Sequence, residues 1–319
     1  MGLLAQGLHA RARKAGEALS DFKMQFDPPA PLPSDDEPLG FDPDLVPEDL
    51  LEPIRELFQG TNLKLPVIPD KVSELLTLCG QESPSMEEIT HLVSLDQSLA
   101  AHVLRLAGSA SMAPVAEVRC LDEAVCRVGT RAIGDMAIGH LVSNSLGGQD
   151  HPRIRELLGR SAVAGLYAFR IGRRCGASTG ASLLPGLMHD IGRPMAISFL
   201  QEIQTWSGGE LSDDAIEYLA EELHVDLGIR LSQAWRLPLS VEVAVRYHDD
   251  YQEAPSHRED AMIAGLAEVL TDWTIDPEST RDVVLPELDV VRALGLGPED
   301  LSRVMANLGE VRQAAGTYA

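Results

Sequence analysis

Aromatic side chains make up only 4% of this 319-residue chain. A base-stacking platform for single-stranded nucleic acid is built from exposed rings, so none is expected. Positive charge is scarce as well: 26 Lys and Arg stand against 49 Asp and Glu, for a formal net charge of −23. Nucleic-acid backbones and anionic membranes both need a basic face, so neither is an expected partner. No run of about 18 apolar residues exists, and none of the N-terminal residues form the continuous apolar segment of a signal peptide. Gln6 stands where a myristoylation signal wants Ser or Thr, so no stable membrane anchor is expected. Cys79, Cys120, Cys126 and Cys175 lack CxxC spacing and are expected to be reduced, buried and apolar, as in a cytoplasmic protein.

What is present is helical periodicity and ordinary globular composition, with 45% hydrophobic residues. Residues 1–27 carry Leu4, Leu8, Ala12, Ala15, Leu19, Phe22 and Phe26 at mostly three- and four-residue intervals, an amphipathic helix fit for docking or partner binding. Residues 28–47 hold seven prolines and five acidic residues and read as an extended linker. From Pro47 onward the stripes are helical, broken by Gly60, by Leu65-Pro-Val-Ile-Pro69 and by Gly80. Ser85 and Asp96 read as N-caps, Ser85 opening a capping box with Glu88. Helices are predicted over Leu121 to Val128, Ile133 to Leu146, Ile154 to Arg174, Met195 to Thr205, Asp213 to Trp235, Leu239 to His248 and Asp260 to Trp273. A last one carries Leu301, Val304, Met305, Leu308 and Val311. No hairpin signal or strict alternation appears, so the fold class is all-α, a multi-helix orthogonal bundle. Arg outnumbers Lys 22 to 4, which points to a GC-rich, bacterial genome.

The stretch Gly186-Leu-Met-His189-Asp190-Ile-Gly192 stands out. It ends a predicted buried helix from Ala181 to Met188, with Gly192 expected as the left-handed residue just past its end. Buried charges need partners. One reading has imidazole and carboxylate chelating a metal ion. The other pairs the Asp190 carboxylate with the His189 imidazole, which also faces the negative end of the helix dipole.

Further landmarks are Leu92-Val-Ser-Leu-Asp96, Ala100-Ala-His-Val-Leu-Arg-Leu-Ala107, Ser109-Ala110, Leu121-Asp-Glu-Ala-Val125 and Val128-Gly129. They continue with His224-Val-Asp-Leu-Gly228, Trp235-Arg-Leu-Pro238 and Tyr247-His248. With Leu65 to Pro69 and the His-Asp stretch, in this order, they make the chain resemble the HDOD family of bacterial signalling proteins, a branch of the HD-domain superfamily. The resemblance covers about residues 58–275. It implies a domain over 48–275, with a helical lobe at 48–148 and an HD-like helical half at 149–275; the C-terminal helical extension at 276–319 rests on periodicity and not on the resemblance.

The resemblance also implies a site. The superfamily holds its metal with a His, the His-Asp pair and a later Asp. Carried over, the pair is His189 and Asp190, Ser161 takes the place of the first His, and Glu268 that of the later Asp. His224 and His248 match further ligand positions of the cyclic-dinucleotide phosphodiesterase branch, whose second His of a pair is Asp249 here. The candidate metal ligands are therefore His189, Asp190, His224 and His248, with Ser161, Arg193, Asp249 and Glu268 as further pocket residues. Serine is a poor ligand, so the site reads as degenerate and the protein as no enzyme. No cofactor is expected, a divalent metal ion being the single candidate. The expected function is a non-catalytic signal-transduction module that binds other signalling proteins. The alternatives are a metal-dependent phosphohydrolase or cyclic-nucleotide phosphodiesterase, or nucleotide binding without hydrolysis, with Arg173, Arg174 or Arg193 meeting phosphate.

Overall fold

The computed structural model describes residues 45–59, 65–109, 112, 118–146, 151–176, 181–307 and 311. The amphipathic helix expected over 1–27 and nearly all of the linker over 28–47 lie outside the described residues. Those described contain helices and no strand. In chain order the helices are α1 (Glu48–Gln59), α2 (Asp70–Cys79), α3 (Met86–Ser94), α4 (Gln97–Gly108), α5 (Leu121–Val128), α6 (Thr130–Ser145) and α7 (Pro152–Cys175). Then come α8 (Leu183–Met188), α9 (Gly192–Ser207), α10 (Asp213–Ala234), α11 (Leu239–Tyr247), α12 (Arg258–Ile275), α13 (Asp289–Ala293) and α14 (Pro298–Val304). No helix among the described residues is long and apolar enough to cross a membrane.

Local chemistry sets many of the boundaries. Ser85 Oγ accepts from Glu88 N at 3.2 Å, Asp96 Oδ1 accepts from Ser98 N and Leu99 N at 3.0 Å, and Ser212 Oγ accepts from Ala215 N. Each satisfies donors that a helix start leaves open. Pro152 opens α7, where its missing N–H costs nothing, and Gly176 closes it at φ 83°.

The central element is α7, with fifteen buried residues along 24. One continuous apolar cluster runs from Val46 to Val245 and so joins residues on both sides of position 148. A second gathers Tyr167 and Ile171 of α7, Leu266 and Leu270 of α12, and Val291, Leu301 and Val304 beyond it. Leu285, Val290, Val291, Leu296, Leu301 and Val304 of the C-terminal extension are thus part of the core. Arg170, buried in α7, clasps this segment by donating to Val304 O at 3.0 Å and Ala306 O at 2.8 Å. Helix α14 ends at Val304; of the rest of the predicted stripe, Leu308 lies outside the described residues and Val311 is buried in the same cluster.

One further expectation changes. Cys120 and Cys126 are exposed, because α5 turns its Ala124, Val125 and Val128 inward and those cysteines outward. Burial pushes the Cys79 thiol up to about 12 and the Cys175 thiol up to about 11. On α6, Asp135 is buried with one carboxyl oxygen unpartnered, and burial pushes it up to about 8 against the lowering pull of Arg131 and the Leu184 amide.

Candidate functional site

The chain leaves α8 at Met188, turns through His189 and Asp190, and enters α9 at Gly192. Gly192 therefore opens a helix and is not a left-handed terminator. Glycine is required for a different reason: a β-carbon there would lie 1.7 Å from His224 O of α10. Gly265 of α12 does the same for α11, since its β-carbon would lie 2.3 Å from His248 O. Two backbone-to-backbone contacts thus set where His224 and His248 stand relative to the His189 turn.

The three imidazoles share one arrangement. His189 Nδ1 donates to Gly186 O at 2.9 Å, His224 Nδ1 to Glu221 O at 2.5 Å, and His248 Nδ1 to Ala244 O at 3.1 Å. A carbonyl can only accept, so each Nδ1 carries the hydrogen and each Nε2 presents a lone pair. All three rings are buried, with centroids 5.0 Å apart for His189 and His248 and 5.9 Å for His224 and His248. The Nε2 atoms of His224 and His248 have no hydrogen-bond partner. Glu268 Oε2 lies 4.0 Å from His189 Nε2 and 3.8 Å from His248 Nε2, and Asp249 Oδ2 lies 3.4 Å from His248 Nε2.

Asp190 does not pair with His189. Its Oδ1 accepts from Arg193 Nε at 2.7 Å, and Arg193 Nη1 reaches Glu221 Oε2 at 2.5 Å. Burial pushes the Asp190 carboxyl up to about 6, against the lowering effect of Arg193, His224 and His248. Ser161 is buried and spends its hydroxyl on Leu157 O of its own helix at 3.1 Å.

Among the described residues, the trio able to bring ligand atoms within 4.8 Å of one another is His224, His248 and Asp249. Two imidazole lone pairs and a carboxylate suit a borderline divalent ion. His189 and Asp190 are not part of that trio. The candidate residues therefore divide into a metal-capable trio, Asp190 held by Arg193, and His189 bonded to the Gly186 carbonyl.

Beside them lies a cavity of about 590 Å³ between α7, the His189 turn and α12, floored by Ser161, His189, Asp190 and Glu268. Sequence reasoning missed its other walls: Arg153 and Arg160 of α7, and Thr271 and Asp272 of α12 with Asp276 just beyond. The available signal was a polar stripe at helical spacing on each helix. Arg160 pairs with Asp272, and Arg153 pairs with Glu217 at 2.6 Å and Glu156 at 3.0 Å. Arg173 and Arg174 do not reach the cavity. They stand about 20 Å along α7 from Arg160, where Arg174 pairs with Asp300 and Arg173 lies over Phe169.

A family model for the HDOD domain matches residues 65–251. The chain belongs to the HDOD family. A candidate metal-dependent phosphohydrolase from Shewanella amazonensis SB2B has a similar fold, with a TM-score of 0.66 at 18% identity, covering 85% of this chain and 98% of that one. So does a candidate signal transduction protein from Marinobacter aquaeolei VT8, with a TM-score of 0.57 at 22% identity, covering 88% of this chain and 67% of that one. An uncharacterized protein of Treponema pallidum (strain Nichols) is 27% identical over 203 residues, 60% of this chain; the HDOD chain spans 39% of that relative's length.

Proposed function

We propose that this HDOD protein is a non-catalytic signal-transduction module of the bacterial cytoplasm that acts by binding another signalling protein. The observation that carries this reading is the Asp190–Arg193 ion pair, extended to Glu221. A guanidinium already supplies the positive charge that the His-Asp carboxylate would otherwise draw from a metal ion, and Ser161 supplies no ligand in place of the first His. Hydrolysis of a phosphodiester needs an activated water and a clamped phosphate together. The free thiols accord with a reducing compartment.

The test is turnover of bis(p-nitrophenyl) phosphate by the full chain purified without chelator, with Mn²⁺ or Fe²⁺ added. No turnover above that of Asp190→Asn is expected, and affinity capture from the native host should recover a signalling protein. Metal-dependent turnover abolished by Asp190→Asn would overturn the reading.

A second reading, a metal-dependent phosphohydrolase or cyclic-nucleotide phosphodiesterase, draws on His224, His248 and Asp249. A divalent ion held there would supply a Lewis acid. Nucleotide binding without hydrolysis has less behind it, because Arg173 and Arg174 lie elsewhere and Arg193 is engaged by two carboxylates.

A further inference from the structure

The cavity beside His189 is acidic in spite of its arginines. Three arginines and five carboxylates line it, a net of −2. Each lining guanidinium is already held by a carboxylate: Arg153 by Glu217 and Glu156, Arg160 by Asp272, and Arg193 by Asp190 and Glu221. Among the described residues, neither Glu268 nor Asp276 forms an ion pair with Arg or Lys. The floor adds an acceptor: the buried His189 spends Nδ1 on Gly186 O, which leaves a lone pair on Nε2 of the neutral ring, 4.0 Å from the Glu268 oxygen. Donors are spent and acceptors remain, so what fits must bring N–H donors and positive charge. An anionic ligand such as a phosphate would have to break an ion pair to find a donor.

We propose that this cavity receives an arginine side chain of the partner protein, its guanidinium bonding to Glu268 at the floor and to Asp276 at the rim. The inference rests on the protein-binding reading above and names the chemistry of the partner. A guanidinium suits such a place better than an ammonium, because its planar fork meets a carboxylate with two parallel bonds. The chain's formal charge of −23 draws a basic partner in from a distance.

The experiment uses the full chain, EDTA throughout, and a fluorescein-labelled hexa-arginine peptide, with the citrulline peptide as its neutral isostere. Binding is read by anisotropy at physiological salt. The arginine peptide should bind and the citrulline peptide should not. Glu268→Gln with Asp276→Asn should weaken binding by at least about tenfold, whereas Glu87→Gln with Glu88→Gln, on the exposed face of α3, should change it by less than about twofold. Arg160→Gln releases Asp272 and should tighten binding. Equal weakening by both carboxylate pairs would reduce the effect to net charge and overturn the proposal. So would weaker binding by Arg160→Gln, or binding that needs Mn²⁺ in place of EDTA. Should the cavity double variant fail to fold, Asp276→Asn at the rim decides alone. Failure of the parent chain to bind the arginine peptide, without phosphodiester turnover, sinks this inference only; turnover sinks the reading beneath it.

Discussion

Asp190 and Arg193 stand three residues apart, with carboxylate oxygen and guanidinium nitrogen 2.7 Å from each other across the turn into α9. Burial lifts the carboxyl to about 6, so its neutral form is the better folded one. Its contribution to stability is whole below about pH 4 and fades as pH rises through 6. Arg193→Met removes the group that holds the carboxyl down and should cost about 1–3 kcal/mol above pH 7. The cost should shrink toward pH 5, where a protonated carboxyl needs no cation. Denaturant melts at both pH values check this, and a pH-independent loss would show that Arg193 acts by packing alone.

Asp135 should govern a second pH window. Its carboxyl is pushed up to about 8 from an ordinary value near 4, so the stability it contributes is complete below pH 4 and is lost as pH climbs through 8. Asp135→Asn keeps the shape and cannot ionise. Its melting temperature should therefore fall less between pH 5 and pH 8 than that of the parent, and parallel curves would refute the assignment.

Gly192→Ala should be severely destabilising, on the order of 3 kcal/mol or more, because a β-carbon and the His224 carbonyl cannot share 1.7 Å. Gly108→Ala is the matched control. Nothing lies within 4 Å of its β-carbon position in α4, so it should be neutral or stabilise by up to about 1 kcal/mol. Thermal melts of the two variants side by side give the answer.

Zinc or cobalt added to the full chain should bind through His224, His248 and Asp249. His248→Ala should cut the affinity measured by calorimetry at least about tenfold, and Asp190→Asn should leave it within about threefold. The reverse order would place the ion on the His-Asp pair.

Arg170→Ala should cost about 2–4 kcal/mol, since it strips two charge-assisted bonds from the carbonyls of buried Val304 and of Ala306 just past α14. Proteolysis near residue 305 should speed up while cleavage within α2 to α6 stays slow.

Much of the helical frame was legible in the sequence because helix starts are local chemistry: Ser85, Asp96 and Ser212 cap where their hydroxyls and carboxylate sit in the chain. The role of Gly192 was not, because the carbonyl that demands it belongs to His224 on another helix. Asp190 was matched to its neighbour His189, yet side chains one residue apart point away from each other and those three apart meet. The cavity was hidden for a longer-range reason, since Arg160 and Asp272 are 112 residues apart. Periodicity likewise found the C-terminal stripe but could not say that α7 was the surface it covers.

The clasp of Arg170 on Val304 spans 134 residues of chain. During synthesis at about 5–20 residues per second, the guanidinium waits roughly 10–30 s for its acceptors. Until then neither bond can form, so the segment ending at Ala306 cannot be clasped onto α7 in any nascent intermediate. The apolar layer that α7 shares with Val291, Leu301 and Val304 therefore closes late, and a translational pause before residue 304 would hold the protein half-assembled, with that layer open to chaperones or to aggregation.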